Sequence, residues 1–126
     1  MAWELNGERP IYLQLVEQIR LRIISGRYAP GERLPSVRDL AAEAAVNPNT
    51  MQRALVELES CGLVITQGTM GRIVTDSNEI INAERKKIAE SYAAEFASKM
   101  TGLGLSEQEI RDYMEEALSN ESKQRL

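Results

Sequence analysis

Histidine is absent from the 126 residues, and cysteine occurs once, at Cys61. Without imidazole the chain lacks the commonest general base and the usual nitrogen ligand of zinc, and one thiol cannot close an internal disulfide. The Ser, Asp, Glu and Arg that remain form no nameable pairing of nucleophile and base. The expectation is a protein that is not an enzyme and uses no cofactor or metal, with Cys61 a core-lining thiol near a helix end. Long apolar runs are missing too. No stretch approaches the roughly 20 residues of a membrane span, and the first ten residues lack the basic-then-apolar order of a signal peptide. That composition implies no membrane partner and a cytoplasmic location.

A net positive charge is also lacking: the formal charge is -4. Divided along the chain, however, residues 1–75 carry 8 Lys/Arg against 8 Asp/Glu, whereas residues 76–126 carry 7 against 11. The acidic excess therefore lies wholly in the last part.

What is present is helical periodicity with clear start signals. Pro10 fits the first position of a helix, and Tyr12, Leu15, Val16, Ile19 and Ile23 recur at helical spacing up to Ser25-Gly26. The Gly- and Pro-rich stretch from Gly26 to Pro35 reads as a connector with a turn at Pro30-Gly31. Ser36 and Asp39 resemble a capping box, followed by Val37, Leu40, Ala41 and Ala44 on one stripe. Asn47 can cap a third helix with Pro48 at its first position, where Met51, Ala54, Leu55 and Leu58 form the apolar stripe and Gly62 ends the helix.

Two short helices joined by a tight turn are a helix-turn-helix pattern. The β-rich segments Leu63 to Thr66 and Ile73 to Thr75, separated by Gln67 to Arg72, add a small hairpin wing. The fold class expected is mainly α with a small β wing: a winged helix-turn-helix over residues 1–76, then a two-helix dimerisation region over 77–126. The first of these two helices starts near Asn78 and closes at Gly102. The second is opened by a capping box of Ser106 and Glu109, and the tail from Asn120 reads as frayed.

If the third helix buries Met51, Ala54, Leu55 and Leu58, then Asn49, Gln52, Arg53 and Val56 face outward. Asn and Gln can pair with adenine edges and Arg with guanine, and the helix start offers N–H groups to a phosphate. Arg38 on the first turn of the second helix is a further phosphate or base contact, or else an ion-pair partner of Asp39 or Glu43. Thr50 contacts phosphate or only satisfies the helix start, and Asn47 counts both as a cap and as a DNA contact. In the wing, Gly71 permits a tight turn from which Arg72 reaches the minor groove or a phosphate, or else Arg72 is one exposed charge on an ordinary hairpin loop.

The runs Pro10-Ile-Tyr-Leu-Gln14, Gly31-Glu-Arg-Leu-Pro-Ser-Val-Arg-Asp-Leu-Ala41, Val46-Asn-Pro-Asn-Thr50, Arg53-Ala-Leu55 and Leu58-Glu-x-x-Gly-Leu63 resemble the winged helix-turn-helix of the GntR family of bacterial transcription regulators. The resemblance covers about residues 8–75. It implies DNA contacts at Arg38, Thr50, Gln52 and Gly71. Two departures stand out. The position of Gln52 is arginine in many members, and the wing before the glycine, commonly basic, reads Gln67-Gly68-Thr69-Met70 here. Only about 50 residues follow the wing, which resembles the short YtrA branch, whose members often control their own operon and neighbouring ABC-transporter genes; a repressor is expected.

Ile81, Ile88, Tyr92, Phe96, Met100, Tyr113, Met114 and Leu118 form a stripe that two helices cannot seal, so a homodimer is expected, the alternative being that the stripe packs onto its own winged domain. Its partner would be a double-stranded operator with two-fold related half-sites. The residues name no small-molecule effector; any such ligand is expected to change the separation of the two winged domains through the linker, the dimer seam or a hinge near Thr75 to Asn78. The acidic net charge and weakly basic wing leave one alternative, a winged-helix protein-interaction module that does not bind DNA.

Overall fold

The computed structural model describes residues 3–124. Three helices, α1 (Ile11–Ile24), α2 (Val37–Ala44) and α3 (Pro48–Ser60), precede a hairpin of β1 (Val64–Thr66) and β2 (Arg72–Val74). Two longer helices follow, α4 (Asn78–Gly102) and α5 (Glu107–Gln124). The chain divides into two compact units, one ending at Arg85 and the other beginning at Lys86.

Local chemistry sets the helix starts. Ser36 Oγ accepts from Asp39 N at 3.1 Å, and Asn47 Oδ1 accepts from Asn49 N at 2.7 Å. Each satisfies an amide that the helix itself leaves without a partner. Ser106 and Glu109 form the full reciprocal box, Ser106 N donating to Glu109 and Glu109 N donating to Ser106 Oγ. Hydrogen bonds to its carboxylate from Ser106, chiefly from the backbone N–H, hold the Glu109 carboxyl below its ordinary value. Pro10 sits at the cap of α1 with ψ 132°, one place before the first helical residue expected for it.

In the first unit α3 packs on both α1 and α2. Leu15, Ile19, Leu40, Met51, Ala54, Leu55 and Leu58 are all buried there, together with Leu63, Val64 and Val74 from the wing. Gln14 is buried among them and makes three hydrogen bonds to the N-terminal arm, accepting from Asn6 N and donating to the carbonyls of Asn6 and Arg9. A buried amide is tolerated because its donors and acceptor are used. Arg22, also buried, stacks under Trp3 at 3.7 Å and donates to the Tyr28 hydroxyl.

The Gly26 to Pro35 segment does more than connect. Glu32 N donates to Ala29 O across a turn in which Gly31 has φ +79°, the arrangement of a type II turn with Pro at its second position. The chain then runs alongside β2: Gly31 N donates to Val74 O, Val74 N to Glu32 O and Leu34 N to Arg72 O, with Arg33 bridged to Ile73. The expected two-stranded wing thus has a third edge. Its own register pairs Val64 with Val74, Ile65 with Ile73 and Thr66 with Arg72.

Three sequence-based expectations need correction. Ile81 does not belong to an open stripe: it is 4% exposed and part of the core of the first unit. The segment around Thr75 to Asn78 is not a loose hinge, because Thr75 is buried, its N–H donates to Leu63 O, and Ser77 Oγ caps α4 by accepting from Ile80 N. Two further ties hold the start of α4 to α1, the Arg20–Glu84 ion pair at 3.6 Å and a 2.7 Å bond from Arg85 Nη2 to Ile24 O. α4 closes at Gly102, as its sequence implies, and the chain then turns at Gly104, with φ +83°. Finally, Asn120 to Gln124 are helical rather than frayed; the rest of that tail, residues 125–126, lies outside the described residues.

The burial of Ile81 carries a prediction. Ile81→Ala should destabilise the protein by about 2–5 kcal/mol, the range for deleting a large buried aliphatic chain. Urea unfolding checks it: a midpoint unchanged from the unaltered protein would place Ile81 outside the core.

Candidate nucleic-acid interface

Helix α3 separates its faces as its period demands. Met51, Ala54, Leu55 and Leu58 are buried, while Asn49, Gln52, Arg53 and Val56 are exposed along the opposite side. Capping by Asn47 frees the polar side chains of the first turn from that duty. Thr50 is half-buried, and its hydroxyl makes no hydrogen bond among the described residues. The side-chain oxygen of Asn47 caps α3 by accepting from Asn49 N, which leaves its amide N–H donors without a partner among the described residues.

Arg38, the second residue of α2, is exposed, and among the described residues it pairs with neither Asp39 nor Glu43. Its guanidinium donors are therefore available to an external acceptor. Every basic residue up to Arg85 is an arginine, the side chain that presents a planar fork to base edges and phosphates.

The wing is the hairpin read from its sequence, with a 3-10 turn in its loop. Gln67 N donates to Gly71 O at 2.8 Å, closing a loop that contains one 3-10 turn over Gly68–Met70. Gly71 has φ +77° and ψ -143°, a conformation that side chains with a Cβ avoid. No heavy atom lies within 4 Å of the Cβ position, so conformation, not crowding, demands glycine here. Arg72 corrects the expectation of a free charge at the wing. Its Nε donates to Glu59 Oε1 at the end of α3, and both side chains are largely covered. That pair ties the wing to α3.

Sequence reasoning missed Glu59 as the partner of Arg72 and Tyr12 as the partner of Arg53, whose guanidinium lies 3.6 Å from the Tyr12 ring centroid. Neither is local: each joins residues from different elements, and no periodicity marks them.

Gln67 to Met70 contribute no charge to the wing. Lysines introduced at Gln67 and Thr69 should steepen the salt dependence of operator binding by up to about two units of log-log slope, at roughly 0.9 per phosphate neutralised. Gly68, with φ +45°, is a poorer site for such a change. A slope unaltered by the two lysines, measured from low to moderate salt, would place the wing away from DNA.

The second unit presents a different surface. Tyr92 and Phe96 of α4 and Tyr113, Met114 and Leu118 of α5 are exposed apolar residues, with Ile88 and Met100 half-buried beside them. Between the helices lies an open groove of about 740 Å³ lined chiefly by Tyr92, Phe96, Leu105, Ile110 and Met114. Ile110 continues the helical spacing of Tyr113 and Met114, and Leu105 extends the stripe beyond the residues expected from sequence. Among the described residues no helix is long and apolar enough to cross a membrane.

Comparison with known proteins adds an independent line. The profile of the family described as bacterial regulatory proteins, gntR family, matches residues 11–74. The HTH-type transcriptional regulator YhcF of Bacillus subtilis is 36% identical over 107 residues, covering 85% of this chain and 88% of that protein. The HTH-type transcriptional repressor YtrA of the same organism is 36% identical over 81 residues, covering 64% of this chain and 62% of that protein. Among solved structures, a GntR family transcriptional regulator from Listeria monocytogenes superposes with a TM-score of 0.84 at 34% identity, covering 89% of this chain and 98% of that one.

Proposed function

Because the chain belongs to the GntR family and is a DNA-binding transcription regulator, we propose that it acts as a homodimeric repressor. Each protomer lays α3 in the major groove of one half-site of a two-fold operator. The observation that carries this reading is the outward face of α3, where Asn49, Gln52 and Arg53 stand exposed over a fully buried opposite face. Asn49 and Gln52 offer the bidentate amide suited to adenine, and Arg53 and Arg38 offer the fork suited to guanine or phosphate.

Repression, including that of the protein's own operon and of ABC-transporter genes, is supported by the resemblance to the YtrA branch and by the repressor of that name among its relatives. Dimerisation is supported by the exposed apolar residues of α4 and α5, which a second copy would cover. Two symmetric winged domains then meet half-sites about 34 Å apart, one turn of DNA.

The test is a selection of bound fragments from genomic DNA, followed by a reporter assay on the recovered promoter. Enrichment of a two-fold site upstream of the protein's own gene, with expression rising when the protein is deleted, is the expected result. Failure to enrich any sequence over random DNA would sink the reading and favour a protein-interaction module.

A further inference from the structure

Arg53 has an acidic residue one turn away on its own helix, Glu57 at i+4, yet among the described residues the two make no ion pair. The guanidinium carbon instead lies over the ring of Tyr12, 3.6 Å from its centroid. Tyr12 stands on the first turn of α1, is half-buried, and belongs to the helix that packs directly on α3. Stacking engages only the face of the guanidinium and leaves its in-plane N–H donors unused. An ion pair does the reverse, as at Arg72, where Glu59 takes the Nε donor.

We propose that Tyr12 is a positioning residue for DNA recognition: its ring fixes the plane of the Arg53 guanidinium while keeping the whole donor fork open to the operator. This rests on the reading of α3 as the DNA-contacting helix. Arginine carries a large rotamer entropy, and a side chain already held in one plane loses less of it when its fork meets a base edge or phosphate. The stack also draws Arg53 away from Glu57, whose carboxylate would compete with DNA for the same donors. Tyr12 makes no base contact in this scheme; it acts only through Arg53.

A double-mutant cycle on operator affinity in the full-length protein tests the idea. Tyr12→Leu should weaken operator binding about fivefold, the size of a cation–π contact at an exposed site. Tyr12→Phe, which keeps the ring, should stay within about twofold of the unaltered protein. In the Arg53→Ala background, Tyr12→Leu should have no further effect. Equal losses with and without Arg53, an unaltered affinity for Tyr12→Leu, or a Tyr12→Phe variant as weak as Tyr12→Leu would each overturn the proposal, the last by showing that the hydroxyl acts itself. Thermal unfolding of each variant accompanies the titrations, and should Leu unfold the protein, Tyr12→Met, of similar bulk, repeats that arm. Asn49→Ala and Gln52→Ala separate the two levels of the argument. If they weaken binding and Arg53→Ala does not, α3 still reads DNA but the Tyr12 role is lost; if none of the three weakens it, the reading of α3 fails as well.

Discussion

Arg38→Ala and Gln52→Ala should each weaken binding to the operator by about fivefold to 150-fold, corresponding to roughly 1–3 kcal/mol for a lost bidentate contact. Both side chains are exposed on helices whose opposite faces form the core. Truncation therefore removes no packing, and unfolding midpoints should stay within about 0.5 kcal/mol of the unaltered protein. The two variants should differ in kind. If Gln52 reads a base, Gln52→Ala relaxes preference at one operator position and leaves the salt slope unaltered. If Arg38 meets a phosphate, Arg38→Ala weakens all sequences alike and lowers the slope by about 0.9. Fluorescence anisotropy on operator and scrambled duplexes over a range of salt separates these outcomes. Operator affinity unchanged in both variants would mean that this is not the reading face.

The second large effect is expected from the apolar surface of the second unit. Phe96→Asp together with Met114→Asp should convert the full-length protein from dimers to monomers at micromolar concentration, as read by light scattering. Phe96 is 37% exposed and Met114 44% in the single chain, so a carboxylate at either position reaches water in the isolated protomer, and a far-ultraviolet circular dichroism spectrum checks that the helices persist. In a dimer covered across this surface they would have to be desolvated without partners. Operator binding should fall by at least about a hundredfold, because the linkage that makes the second half-site an intramolecular event is lost. Affinity for a duplex bearing one half-site should not change. A double variant that remains dimeric, or an unaltered chain already monomeric at that concentration, would show that this surface does not hold two copies together. A truncation after Thr75 is a poor substitute for these variants, since it would remove Ile81 from the core of the winged unit.

Several features of this protein were written locally and could be read without its structure. Ser36, Asn47 and Ser106 start helices because a side-chain oxygen finds an amide two or three residues on, an interaction contained within one turn. The polar face of α3 follows from the 3.6-residue period alone, which is why Asn49, Gln52 and Arg53 were identifiable as candidate readers. The Pro30-Gly31 turn and the hairpin are equally local. What the tertiary structure decided is which of those candidates are engaged and which are open. Arg72 and Arg53 are both arginines near the expected interface, yet one is bound by Glu59 and the other laid on Tyr12. Ile81 and Ile88 belong to the same helical stripe, yet one is core of the first unit and the other lies half-buried in the second. The third edge of the wing depends on backbone pairing between Arg33 and Ile73, forty residues apart. In each case a helix or strand period states only which side a residue faces; what stands on that side is supplied by another segment, brought there by burial of the shared core.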